Sequence, residues 1–143
     1  MQVSKADKMD LEAIVKLNRL FHLDLPEFKW DTPQWVEEEI GNGNYYVIKN
    51  KSIVVAAICL KMLEEEGYIE AIAVQENKQI SGFGRRLIEF AIKQSQKQGK
   101  SKLSVESFCD YGIEKFYEKC GFTRCPKLGN YKGYPYYCFS MNL

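Results

Sequence analysis

The run Tyr68-Ile69-Glu70-Ala71-Ile72-Ala73-Val74 has strand character, Phe83 onward has the apolar spacing of an amphipathic helix, and Leu103 to Ser107 is β-rich again. A strand, a helix and a second strand in that order fit one sheet as parallel neighbours joined by a right-handed crossover. The sheet is therefore predicted to be mixed rather than purely antiparallel. Between the first strand and the helix stands Gln79-Ile80-Ser81-Gly82-Phe83-Gly84-Arg85-Arg86. The first N–H groups of a helix lack intrahelical acceptors and carry the positive end of its dipole. Two glycines there let an anion approach the backbone without meeting Cβ atoms. Ligands of such sheets sit outside the carboxyl ends of the strands, which here are the ends of Tyr68–Val74 and Leu103–Ser107.

The rest of the chain supplies partners for that unit. Leu11, Ile14, Leu17 and Phe21, with Val15 alongside, follow the capping candidates Asp7 and Asp10 and predict a helix ending near Leu25-Pro26. Thr32-Pro33 reads as an N-cap with proline at the first helical position, and Gly41 closes that second helix. Asn44–Ile48 and Ile53–Met62 flank Lys49-Asn50-Lys51-Ser52 as a hairpin. Phe83, Leu87, Ile88, Ala91 and Ile92 share one face of the crossover helix, which stops at Gly99. A helix is predicted over Asp110–Lys119, further strands over Phe122–Pro126 and Tyr136–Met141, and a very short strand at Gln2–Ser4. The fold class is α/β: one domain over residues 1–143 with a central, twisted, mixed sheet flanked by helices.

Composition narrows the functional classes. A chain of 143 residues can bury a core of its own without staples. Its net charge of +1, with lysines interleaved among glutamates, offers no basic stripe for nucleic acid. The cysteines are odd in number, 5, with no Cys-x-x-Cys spacing, which favours reduced thiols in a cytoplasmic protein over disulfides or zinc, and no metal is expected. No stretch approaches the ~18 apolar residues of a membrane span.

The glycine turn is not a dinucleotide fingerprint, because the third glycine and the acidic residue after the next strand are absent. Nor is it a P-loop, since no Gly-Lys-Ser/Thr follows. A turn suited to a diphosphate remains, with Arg85 and Arg86 beside it. A second constellation lies at Asp110-Tyr111-Gly112-Ile113-Glu114-Lys115-Phe116-Tyr117-Glu118-Lys119-Cys120-Gly121-Phe122. Together the two resemble the GCN5-related N-acetyltransferase (GNAT) superfamily. Its turn, Gln/Arg-x-x-Gly-x-Gly/Ala, is matched at Gln79, Gly82 and Gly84. Its later Phe-Tyr-x-x-x-Gly-Phe is matched at Phe116, Tyr117, Gly121 and Phe122.

The resemblance implies an acetyl-CoA-dependent N-acetyltransferase acting by direct transfer on a primary amine of a small molecule or peptide. Backbone groups of Ile72, Ala73 and Val74 would pair with the pantetheine arm of coenzyme A. Amides across Gln79, Ile80, Ser81, Gly82, Phe83, Gly84 and Arg85 would hold the diphosphate. Tyr117 would meet the cofactor sulfur as general acid, a role suited to a group protonated below pH ~10. The family often places asparagine and alanine where this chain has Asp110 and Ile113. Asp110, counted among the cofactor-binding positions, can cap a helix but has no amide donor.

Amine acetylation also needs a base. Glu70, two residues before Ile72 on the same strand face, is the first candidate, acting directly or through a water; Glu106 is the second. His22, Phe28 and Trp30 border the segment where this superfamily builds its acceptor wall. Tyr131, Tyr134, Tyr136 and Tyr137 are expected to pack, to line the acceptor pocket or to form a homodimer contact. The alternative from another class is a non-catalytic acyl-CoA-binding sensor or interaction module.

Overall fold

The structure is a computed structural model that describes residues 2–76 and 82–143. Its strands are β1 (Val3–Lys5), β2 (Tyr45–Asn50), β3 (Ile53–Met62), β4 (Glu66–Val74), β5 (Lys102–Phe108), β6 (Thr123–Arg124), β7 (Gly129–Tyr131) and β8 (Tyr134–Asn142). Its α-helices are α1 (Leu11–Asn18), α2 (Pro33–Gly41), α3 (Phe83–Lys97) and α4 (Glu114–Lys119). The strands follow the order β1-β2-β3-β4-β5-β8-β6, with β7 attached to β8. β4 and β5 are parallel, as a strand, crossover helix and strand require, while β1/β2, β2/β3 and the three pairings of β8 are antiparallel. The mixed α/β expectation holds.

The chain forms two compact units. The first comprises residues 1–60 and 71–90. Asp7 accepts from the Met9 amide at 2.9 Å, and its own amide donates to Asp10 Oδ2 at 3.0 Å, a capping box that opens a short 3₁₀ turn before α1. Helix α1 tightens into a second 3₁₀ turn ending at Phe21, earlier than the predicted Leu25-Pro26. Helix α2 starts as expected: the Thr32 hydroxyl accepts from the Trp35 amide at 3.3 Å and proline occupies the first turn. Ile14, Val15 and Leu17 from α1 and Trp35 and Val36 from α2 pack with Tyr45, Val47, Ala57, Cys59 and Ala73 from the strands. Burying each larger aliphatic chain contributes about 1.5–3 kcal/mol. The Asn18 amide ties the unit together by donating to Tyr45 Oη at 2.8 Å and to the Trp30 carbonyl at 2.7 Å.

The second unit comprises residues 61–70 and 91–143. The crossover helix packs closely here: a Cβ on Gly67 of β4 would lie 2.0 Å from Ser95 Oγ of α3, so only glycine fits at that point. β5 pairs with β8 from Lys102↔Asn142 to Phe108↔Tyr136. Ahead of the predicted Tyr136–Met141 strand the chain forms a hairpin, β7–β8, closed by Lys132 and Gly133, both at positive φ.

One helix differs from its prediction. Asp110 does not cap α4: it sits in a 3₁₀ turn, Cys109–Tyr111, that ends on Gly112 at φ +63°, and α4 begins afterwards from Ile113 without a side-chain cap. The left-handed residue breaks what the sequence reads as one continuous helix.

Candidate active site

The parallel ladder between β4 and β5 runs from Glu66↔Lys102 to Ile69↔Val105, and both strands outlast it, β4 to Val74 and β5 to Phe108. Continuing the register would set Glu70 level with Glu106. Two carboxylates thus stand at the point where the ladder ends.

Their surroundings differ. Glu70 is almost enclosed and holds Lys61 Nζ at 2.6 Å. Glu106 is exposed, accepts a hydrogen bond from the Tyr68 hydroxyl at 2.7 Å, and faces the Cys138 thiol, whose Sγ lies 4.0 Å from Oε2. Cys138 is the direct partner of Glu106 across the β5/β8 ladder, and Tyr136, two residues away, projects to the same face. The Glu106 charge is the main cause raising the Tyr136 hydroxyl above its ordinary pKa. Burial, then the hydrogen bond to Glu106, pushes the Tyr68 hydroxyl well above the usual tyrosine range. Both phenols stay protonated and can donate to the carboxylate. Beyond Glu106 the face becomes aromatic: the Phe108 ring lies 5.6 Å from Tyr111, 6.3 Å from Tyr131, 6.2 Å from Tyr134 and 6.3 Å from Tyr136.

Tyr117 belongs to the other face. It is 2% exposed, with its ring 5.2 Å from Phe139 and from Phe116 and 5.8 Å from Phe122. Burial drives its hydroxyl far above the ordinary value, with smaller contributions from Cys120 and Tyr111. Its ring is packed among Phe116 beside it on α4, Phe122 and Phe139 of β8. Tyr137, on the same side of β8 as Phe139, carries the Arg124 guanidinium 4.5 Å above its ring.

The remaining expected positions fall in the first unit. Ile72 is half-buried, and Ala73 and Val74 are buried at the end of β4. Gly82 stands before α3 at φ +79°, a conformation that side chains other than glycine's rarely adopt, and among the described residues, its chain neighbours aside, no heavy atom lies within 4 Å of the position a Cβ would take. Phe83 and Gly84 are buried in the first turn of α3 and Arg85 is exposed. Gln79, Ile80 and Ser81 lie outside the described residues. An open glycine before a 15-residue helix, with arginines in its first turn, suits a diphosphate. His22 Nδ1 meets Asp31 Oδ2 at 2.7 Å, and its ring stands 4.8 Å from Phe28, which is 5.1 Å from Trp30. That pairing explains His22 as the anchor of its own loop.

Tyr68, Lys61 and Cys138, which the sequence does not single out, contact the two carboxylates. Tyr68 carried one usable signal, its place two residues before Glu70 on the same strand face. Among the described residues, no group of three or more His, Cys, Asp or Glu side chains is placed to hold a metal ion. No helix there is long and apolar enough to cross a membrane.

The chain matches the Acetyltransferase (GNAT) family over residues 14–122 and belongs to that family. A search of curated proteins by sequence finds no match. Solved structures share the fold. Ard1 from Thermoplasma volcanium aligns at TM-score 0.85 and 18% identity, covering 99% of this chain and 97% of that one. Rv2747 from Mycobacterium tuberculosis, solved with CoA and NLQ, aligns at 0.82 and 15%, covering 100% and 99%. The ribosomal-protein-S18-alanine N-acetyltransferase from Escherichia coli aligns at 0.76 and 19%, covering 99% and 92%.

Proposed function

We propose that this protein is an acetyl-CoA-dependent N-acetyltransferase that acetylates a primary amine of a small molecule or peptide by direct transfer. The observation that carries the reading is the end of the β4/β5 ladder at Ile69↔Val105, with Glu106 one residue beyond it. Family membership and the CoA-bound relative Rv2747 support the choice of cofactor.

Acetyl-CoA supplies the acetyl group as a thioester. Backbone groups of Ile72, Ala73 and Val74 align the pantetheine arm as an added strand would. Amides from Gly82 to Arg85 hold the diphosphate at the head of α3, the part of the expected Gln79–Arg85 cradle that lies within the described residues. Glu106 takes the proton of the incoming amine. The reading prefers it to Glu70 because Lys61 already neutralises Glu70 at 2.6 Å, whereas Glu106 is exposed and aimed by phenol donors. Tyr117 is proposed to return a proton to the leaving thiolate once the thioester reaches its hydroxyl, which Phe116, Phe122 and Phe139 surround in this structure. The aromatic face around Phe108 and Tyr136 borders the acceptor amine, where ring faces favour a cationic head group.

The test has two arms. CoA should raise the thermal midpoint where NAD and ATP do not, because a ligand that binds only the folded state stabilises it. Thiol release from acetyl-CoA should then depend on an added amine, measured over small amines and peptides with free N-termini. Stabilisation by CoA without release for any amine would favour the non-catalytic sensor.

A further inference from the structure

We propose that Cys125 and Cys138 form a peroxide-responsive dithiol that closes to a disulfide beside Glu106. The β6/β8 register, Thr123↔Ser140 and Arg124↔Phe139, carries on to bring Cys125 opposite Cys138, and the Cys125 amide donates to the Cys138 carbonyl at 2.8 Å. Directly opposed residues of an antiparallel pair have Cα atoms about 4.5–5.5 Å apart, inside the range of about 4.4–6.8 Å that a disulfide spans. As directly opposed residues of an antiparallel pair, the two side chains project to one face. Both thiols are partly exposed, so a small oxidant reaches them.

The third member of the group is the carboxylate. Cys138 Sγ lies 4.0 Å from Glu106 Oε2 and donates to it in the reduced protein. The chemistry balances with hydrogen peroxide as oxidant. The Cys125 sulfur attacks the O–O bond and becomes a sulfenic acid, releasing one water. Cys138 then gives its proton to Glu106, its sulfur attacks the Cys125 sulfur, and hydroxide leaves. That hydroxide takes the proton from Glu106, so a second water forms. Two thiols and one peroxide yield one disulfide and two waters, and a dithiol reductant reverses the change.

Closure turns the Cys138 sulfur toward Cys125 and removes its hydrogen bond to Glu106. If Glu106 is the base, as the proposed function holds, turnover falls on oxidation by about tenfold or more, since misplacing a reacting group by about 1 Å costs up to about 10²-fold.

The full chain is treated with hydrogen peroxide, remaining thiols are alkylated, and the products are mapped by mass spectrometry of proteolytic peptides. The expected result is a 125–138 linked peptide that dithiothreitol reverses, with Cys59, Cys109 and Cys120 still alkylated, and its absence from Cys125→Ser. Free Cys125 and Cys138 after treatment, or a disulfide to another cysteine, overturns the proposal. Peptide mapping reads the thiols whether or not the chain transfers acetyl groups, so it stands apart from the outcome of the amine assay.

Discussion

The two faces of β8 use tyrosine in opposite ways. On one, Tyr136 stands with Cys138 opposite Glu106, and it is the carboxylate's charge that chiefly raises the phenol's pKa. On the other, the Tyr117 ring packs on Phe139 at 5.2 Å, and burial does the same work. A phenol enclosed by rings keeps its proton well above the usual tyrosine range. A phenol facing a carboxylate orients that carboxylate and suits a base. The alternation of a single strand therefore sets two tyrosines in different surroundings, one beside a carboxylate and one among rings.

Substitutions break this contrast in a definite order. Glu106→Gln removes the proton acceptor on which the proposed scheme relies. We expect kcat/KM to fall by about 10³-fold with the thermal midpoint nearly unchanged, since the residue is exposed. Tyr117→Phe keeps the ring packing and loses the acid, so kcat falls by roughly 10²-fold in steady-state kinetics. Tyr68→Phe deletes the 2.7 Å hydrogen bond to Glu106; a drop of about tenfold in kcat, with KM for the amine little changed, is expected of a positioning residue. Glu70→Gln should change kcat/KM less than about threefold, because Lys61 already occupies that carboxylate. A larger loss for Glu70→Gln than for Glu106→Gln would reverse the assignment.

The pH dependence sharpens the same contrast. Tyr117 and Tyr68 both have folded-state pKa values raised above the unfolded value of about 10. The folded state then holds protons that the unfolded state releases, so their contribution to stability is complete below pH ~10 and is lost as pH rises beyond it. Denaturant titrations between pH 8 and 11 should show stability falling at the alkaline end, and falling less steeply in Tyr117→Phe.

Much of this architecture was legible from local patterns. Thr32-Pro33 and Gly41 bracket α2 because caps and proline act over one turn, and the parallel β4/β5 pair follows from strand, helix and strand in sequence. Two features escaped for physical reasons. The helix read over Asp110–Lys119 breaks at Gly112, whose left-handed conformation depends on the surrounding turn. Strand β7 is three residues with a glycine at its start, too short to show alternation without β8 beside it. At the site, Glu70 and Glu106 were both visible as strand carboxylates. What distinguished them was Lys61 on one and Tyr68 on the other, contacts set by how neighbouring strands are registered rather than by any local pattern.

The most direct test of the central claim compares Glu106→Gln with the parent in amine-dependent thiol release from acetyl-CoA, using protein whose CoA-induced thermal shift is intact. Loss of about 10³-fold in kcat/KM is the predicted result. A variant that binds CoA normally and keeps the parent rate would contradict it.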